Sequence, residues 1–214
     1  MYLPTAFADD RPEVLHDFIR ANPLGLLVSA GALGLVADPI PFLMYPDEGE
    51  FGTLRAHLAR ANPHGPALKD VDDCLVAFTG AQAYITPSWY AAKAEHGKVV
   101  PTWNYAAVHA WGKPRLIDDA AWVRRLVGDL TTSQEQGRLA PWAVEDAPTD
   151  FIDSMLRAIV GVEIPIRRIE GKFKATQNRA MADRVGVVEG LRAQGPLSEP
   201  MATLVAQRGD VPKT

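Results

Sequence analysis

GLLVS (Gly25–Ser29), LGLVADPIPFLM (Leu33–Met44), EFGTLRAHLA (Glu50–Ala59) and DCLVAFTGAQAYI (Asp73–Ile85) are the segments whose reading decides the fold. Each is short, apolar and bounded by Gly, Pro, Asn or Asp, the pattern of β-strands separated by turns. Strands at that spacing predict an antiparallel meander or barrel. A further β segment is predicted at Val99–Ile117 and another at Gly161–Phe173.

Helices flank these strands. Upstream, Asp10 is placed to cap a helix running to about Ala21, with Glu13 three residues later and Val14, Leu15, Phe18 and Ile19 on one face. Asn22 and Pro23 stop it. After Ala59, Asn62 is expected to cap a short helix that Pro63 begins. Asp118 is expected to cap a helix with a stripe of Trp122, Val123, Leu126, Val127 and Leu130, and Thr149 one with Phe151, Ile152, Met155, Leu156 and Ile159. The fold class is therefore mainly β with flanking helices (α+β), as one domain over residues 1–194. The stretch 195–214 mixes Gly, Pro, Ser and charges without periodicity and is expected to be a flexible tail.

The 214 residues are 47% hydrophobic and 22% charged, the balance of a globular chain and not of a disordered or fibrous one. A formal charge of −4 gives no overall positive field for nucleic acid, although a local basic patch is compatible with it. The single cysteine, Cys74, excludes an intrachain disulfide and reads as a buried small hydrophobe in a reducing compartment. No stretch approaches the roughly 20 apolar residues of a membrane helix, and no cationic segment followed by an apolar run opens the chain, so a cytoplasmic protein is expected.

Polar residues concentrate in three places. In HLARANPHG (His57–Gly65) a strand delivers His57 and Arg60 to the start of a helix at Asn62, where backbone N–H groups and a guanidinium can meet a phosphate. Alternatively, Arg60 is a surface ion-pair residue and Asn62 merely a cap. AYITPSWY (Ala83–Tyr90) and VPTWNYAAVHAWG (Val100–Gly112) combine aromatics with hydroxyls and amides, as pockets for flat ligands do, and core packing also accounts for them. IEGKFKATQNR (Ile169–Arg179) sets Lys172 and Lys174 at alternate strand positions before Gln177 and Asn178, which reads as a phosphate or ring contact or as a solvated strand face. Phosphate-loop, dinucleotide-fingerprint, nucleophile-elbow and metal-ligand spacings are absent, and the five histidines are scattered.

Together, MYLP (Met1–Pro4), HLARANP, YITPSWY, VPTWNY with VHAWG, and IEGKFKATQN resemble in order and spacing the PaiB-like FMN-binding negative transcriptional regulators, from Met1 to about Leu191. The resemblance implies an FMN-binding split β-barrel like that of the pyridoxamine-phosphate oxidases, forming homodimers with FMN at the subunit interface. Carried over by motif, His57, Arg60 and Asn62 face the phosphate, Thr86, Ser88, Trp103 and Asn104 surround the ribityl chain and ring, and Lys172, Gln177 and Asn178 complete the cofactor site. One departure stands out. Where the family reads like A-T-H-L-P-F, this chain has Ala37, Asp38, Pro39, Ile40, Pro41 and Phe42, placing an acid where a Thr-His pair is usual.

Three functions follow from the resemblance. A flavin-linked regulator comes first, with direct DNA contact weakly supported because no DNA-binding helix or basic ribbon is legible. An FMN-dependent oxidase or flavin reductase is the alternative, and a haem-binding split barrel with His57 or His109 as axial ligand ranks below it.

Overall fold

The computed structural model describes residues 1–31 and 33–212. A two-residue strand, β1 (Ala8–Asp9), precedes helix α1 (Pro12–Ala21). Asp9, one residue before the predicted cap, holds the entry to α1 by accepting the Arg11 N–H at 3.2 Å. Strands β2 (Leu24–Gly31), β3 (Gly34–Pro41), β4 (Leu43–Tyr45) and β5 (Thr53–Ala59) follow. The predicted segment Leu33–Met44 is two strands because the Phe42 N–H turns back to the Pro23 carbonyl, at 2.8 Å.

Helix α2 (His64–Ala67) is a single turn before β6 (Cys74–Ile85), the short α3 (Ala92–His96), β7 (Thr102–Gly112) and β8 (Arg115–Ile117). Pro114, which has no N–H to give a ladder, lies in the break between β7 and β8. The remaining elements are α4 (Ala120–Glu135), α5 (Thr149–Arg157), β9 (Ile159–Lys174), α6 (Met181–Ala193) and α7 (Glu199–Arg208). Hydrogen bonding orders the strands β3-β2-β6-β7-β9-β5-β4, with β1 and β8 also on β9. The β2–β3, β2–β6, β4–β5 and β5–β9 pairs are all antiparallel. The fold is mainly β with flanking helices, as the segment pattern predicts.

Contacts gather the chain into two compact units, whereas the sequence reading places one domain over 1–194. The larger unit is His16–Phe78 with His109–Ile169; the smaller is Met1–Leu15, Thr79–Val108 and the chain from Glu170 onward. In the larger unit Leu27, Phe42, Leu54, Val76 and Ile164 are buried, each such side chain stabilising by about 2 kcal/mol. Trp122 of α4 lies directly on β9 at Gly161, where a Cβ would come within 2.2 Å of the indole. Cys74 is buried there too; burial pushes its thiol up to about 12, and Sγ–H donates to the Gly112 carbonyl at 3.2 Å.

The smaller unit has its own core of Ile85, Tyr90, Ala175, Val187, Val188 and Leu191, and Met201, Ala202 and Val205 of α7 complete it. This corrects the expectation of a flexible tail over 195–214. Pro200 sits in the first turn of α7, where its missing N–H costs nothing, and Met201, Ala202 and Val205 recur at helical spacing. Lys213 and Thr214, the end of that stretch, lie outside the described residues. Arg208 of α7 donates to the Asp9 carboxylate, which Arg11 also grips at 2.6 and 3.0 Å. Among the described residues no helix is long and apolar enough to cross a membrane.

Candidate functional site

His57, Arg60 and Asn62 belong to the larger unit, and Thr86, Ser88, Trp103, Asn104, Lys172, Gln177 and Asn178 to the smaller. In the larger unit β5 delivers Arg60 to the start of α2, as the sequence suggests, but its guanidinium is engaged by the fold. It donates in a fork to both carboxylate oxygens of Asp118, at 2.9 and 2.8 Å, and also to the carbonyls of Arg157 and Ile159. Asp118 therefore does not cap α4; Asp119 does, accepting the Trp122 N–H at 2.7 Å. Thr149 likewise makes no cap, since α5 starts after Pro148 without a side-chain acceptor. With its charge matched and four of its five donors used, Arg60 presents little to a phosphate.

Asn62 is not the cap predicted, because α2 begins at His64 with Pro63 in the N-cap position; its Oδ1 instead closes the turn into the helix by accepting the His64 N–H at 2.9 Å. Its Nδ2 donates to Asp38 at 3.1 Å, and the same Asp38 oxygen lies 2.8 Å from His64 Nδ1. His64 Nε2 in turn is 2.8 Å from Ser29 Oγ. This chain of bonds accounts for the acid at position 38, whose charge is answered locally and does not face an incoming phosphate. Asp, His and Ser in this order are also the members of a nucleophilic triad. Here Ser29 is 4% exposed and His64 fully buried, so the relay ties β2, β3 and α2 together and offers no nucleophile.

The smaller unit differs. A hollow of about 120 Å³, the space of roughly four waters, is lined by residues of β7, the end of β9 and the turn after it, including Thr102, Asn104, Lys174, Asn178, Arg179 and Tyr90. Asn104 is fully buried; its Nδ2 lies 2.6 Å from Thr176 Oγ1, while Oδ1 has no hydrogen-bond partner among the described residues. A hydroxyl can donate or accept, so the Asn104 amide can present either its carbonyl or its NH₂ to the hollow. Tyr90 is buried beside it, and its hydroxyl also lacks a partner among the described residues. Burial raises the Tyr90 pKa, so this hydroxyl keeps its proton.

Two cations complete the lining. Lys174 donates to Thr102 Oγ1 at 2.5 Å, and Arg179 lies over the Tyr90 ring, 4.5 Å from its centroid. Thr176 holds the position opposite Asn104 with φ of 64°, a left-handed conformation that costs a β-branched residue about 1 kcal/mol and is rare outside functional sites. Orphaned buried polar atoms, cations and local strain thus coincide in one place.

Of the residues predicted in this unit, Asn104 and Asn178 line the hollow. Lys172 does not: it is buried, donates to the Tyr2 carbonyl at 2.9 Å and lies near the rings of Tyr2 and Tyr105, so it is neither on a solvated face nor open to a ligand. Gln177 closes the turn after β9, accepting the Ala175 N–H and donating to the Phe173 carbonyl. Thr86 caps the turn that contains Ser88, and Ser88 accepts from Lys93. Trp103 donates to Gln82 and packs on Tyr84. Lys174, Thr102, Tyr90 and Arg179 are additions. All lie inside or next to the quoted motifs, and alternation from Lys172 is the signal for Lys174. Nothing in the sequence marks Thr176, because its backbone conformation is imposed by the fold.

Comparison with known proteins assigns the chain to an FMN-binding family. A family model described as "Putative FMN-binding domain" matches residues 1–168. An uncharacterized protein of Aspergillus fumigatus is 35% identical, the match covering 99% of this chain and 98% of the relative. The Protease synthase and sporulation protein PAI 2 of Bacillus subtilis is 29% identical, with 97% and 98% covered. Among solved structures, the FAD and heme binding protein from Mycobacterium smegmatis superposes with a TM-score of 0.56 at 18% identity, over 78% of this chain and 73% of that one. At such identity the last likeness speaks for the fold alone.

Proposed function

We propose that this chain, which belongs to the FMN-binding family matched over residues 1–168 and is an FMN-binding split-barrel protein, acts in the cytoplasm as a flavin-linked regulator and as a homodimer. The unmatched Asn104 amide carries the flavin half of the reading. FMN brings a phosphate that seeks cations, a ribityl chain that both donates and accepts, and a flat ring. Lys174, Arg179, Asn104, Thr102 and Asn178 fit its polar part, and the hollow has room for one end of the cofactor and not the whole. When bound, FMN supplies the electron-transfer chemistry. The residues of this chain bind and orient it: the two cations balance charge, and the buried amide and hydroxyl acquire the partners they lack.

The regulatory half rests on the Bacillus subtilis relative, whose name includes sporulation. A net charge of −4 disfavours tight contact with DNA phosphates, so control through a partner or a small molecule fits better than direct operator reading.

Dimerisation is supported by the outer face of the β2–β3 ribbon. Leu24, Leu26, Val28 and Ala30 pair in register with Pro41, Pro39, Ala37 and Leu35, so every residue on that face is apolar. Leu24 is 62% exposed and Leu35 77%. β3 ends the strand order, yet Pro39 and Pro41 remove donors from this edge, so a second copy would be received on the face and not by strand addition.

Titration with FMN, followed by quenching of flavin fluorescence, tests the site. Saturation by the wild type and at least about tenfold weaker binding by Asn104→Leu are expected; equal affinities would remove the hollow from the flavin site. In cells, Lys174→Ala should alter the same transcripts as loss of the whole protein. Unchanged transcripts in a variant that no longer binds FMN would dissociate regulation from flavin.

A further inference from the structure

Asp183 does not line the hollow of the smaller unit, but it touches two of the segments that do. It lies in the first turn of α6 and is 3% exposed, yet among the described residues it accepts from no N–H of its own helix. Oδ1 accepts the Ala92 N–H at 3.0 Å, two residues after Tyr90, and Oδ2 lies 3.8 Å from the Arg179 guanidinium. Both Tyr90 and Arg179 line the hollow. A buried carboxylate is costly unless it is matched, so one that joins two lining segments has a use beyond helix formation.

That use is not docking. Asp183, Gly186 and Gly190 share one face of α6, and Trp89 packs so closely on the two glycines that a Cβ at Gly186 would collide with its carbonyl and one at Gly190 with its indole. The glycine groove therefore fixes the segment before Ala92 without help from the acid. Arg179 is a different matter. Its guanidinium lies 4.5 Å from the Tyr90 ring centroid and makes no side-chain hydrogen bond among the described residues, since 3.8 Å to Asp183 is too long for one. Arg184, one residue beyond Asp183, by contrast donates to the carbonyls of Gly209 and Gln177. Arg179 is thus a cation held by charge, with its side-chain donors unspent.

We propose that Asp183 is a positioning residue of the flavin site: it holds the Arg179 guanidinium against the Tyr90 ring, ready for the cofactor's phosphate, and so makes the site select FMN over its unphosphorylated form. This role, which rests on the flavin reading of the hollow, follows from the kind of contact Asp183 makes. Attraction to a buried acid keeps a long, partly exposed side chain in one place while leaving its N–H groups free. A guanidinium aligned in advance gives up less freedom when it takes a phosphate.

Fluorescence titrations of the full chain with FMN and with riboflavin, which lacks the phosphate, test this. The wild type should prefer FMN by about tenfold or more. Asp183→Asn keeps an acceptor for the Ala92 N–H and removes the charge that holds Arg179; FMN affinity should fall about fivefold while riboflavin affinity is unchanged. Arg179→Leu should remove most of the preference, and adding Asp183→Asn to it should change nothing further. Unchanged or tighter FMN binding by Asp183→Asn overturns the proposal. So does equal weakening of both flavins, the mark of a residue that only holds the fold, or an effect of Asp183→Asn that persists without Arg179. Asn104→Leu keeps the two failures apart: if it weakens FMN and Asp183→Asn does not, only the role of Asp183 falls, whereas FMN binding by Asn104→Leu equal to that of the wild type removes the flavin site and this role together.

Discussion

The Arg60 corner of the larger unit and the Asn104 hollow of the smaller hold similar residue types, a cation beside an asparagine near a turn, and they differ in what the fold has left unbonded. At the corner, Arg60 donates to a carboxylate and two carbonyls, and Asn62 both donates and accepts. At the hollow, one end of the Asn104 amide and the Tyr90 hydroxyl have no partner among the described residues. A side chain can hold a ligand only with bonds it has not made internally, and buried unmatched groups are costly enough that their persistence marks a use.

Lys174→Ala with Asn104→Leu is expected to produce the largest break in that comparison. Removing a charge-assisted bond and the buried amide together should weaken FMN by about 100-fold in fluorescence titration, at about 1.5 kcal/mol for each. Arg60→Ala should bind FMN like the wild type, because its fork faces Asp118; a loss as large as that of the hollow variants would restore Arg60 to the site.

Two acids sharpen the contrast in stability. The Asp9 side chain is 3% exposed and is gripped by Arg11 and Arg208, whereas Asp118 is 71% exposed beside Arg60. Asp9→Asn leaves its arginines without their charge partner and should cost about 3 kcal/mol in urea unfolding; Asp118→Asn should move the midpoint only slightly. The Arg11 bond, and then that of Arg208, hold the Asp9 carboxyl well below the usual carboxylate range. A lowered folded-state pKa stabilises above the unfolded value of about 4 and is lost as pH falls below it. Unfolding free energy of the wild type should therefore drop steeply with pH below about 4, and Asp9→Asn should flatten that drop.

The smallest effect is expected at Thr176. Thr176→Gly relieves the left-handed strain but removes the hydroxyl facing Asn104. These oppose each other, so thermal stability should change by less than about 1 kcal/mol while FMN affinity falls a few fold. A large destabilisation would show that Thr176 anchors the turn instead of preparing the hollow.

Much of the architecture is legible in the chain. The strands from Gly25 to Ile117 are set by apolar runs and turn residues, and their breaks at Phe42 and Pro114 depend on local backbone geometry. Helix α7 is the main omission, since its short apolar stripe of Met201, Ala202 and Val205 is outweighed in the sequence by the surrounding Gly, Pro and charges. For the site, motif reading finds Asn104 and Asn178. It also selects Lys172, one alternate position short of Lys174, because two lysines on one strand look alike until the neighbours of each are known.

Sequence alone determined the strand-rich class, the family motifs and the neighbourhood of the proposed flavin site, since these depend on periodicity and on residues close together in the chain. Tertiary structure decided which polar groups are already bonded. Asp118 reaches Arg60 across 58 positions and Thr176 reaches Asn104 across 72, and no local pattern encodes such pairings. Hydrogen-bonding capacity is a property of the residue, whereas the part of it left for a ligand is a property of the folded surroundings.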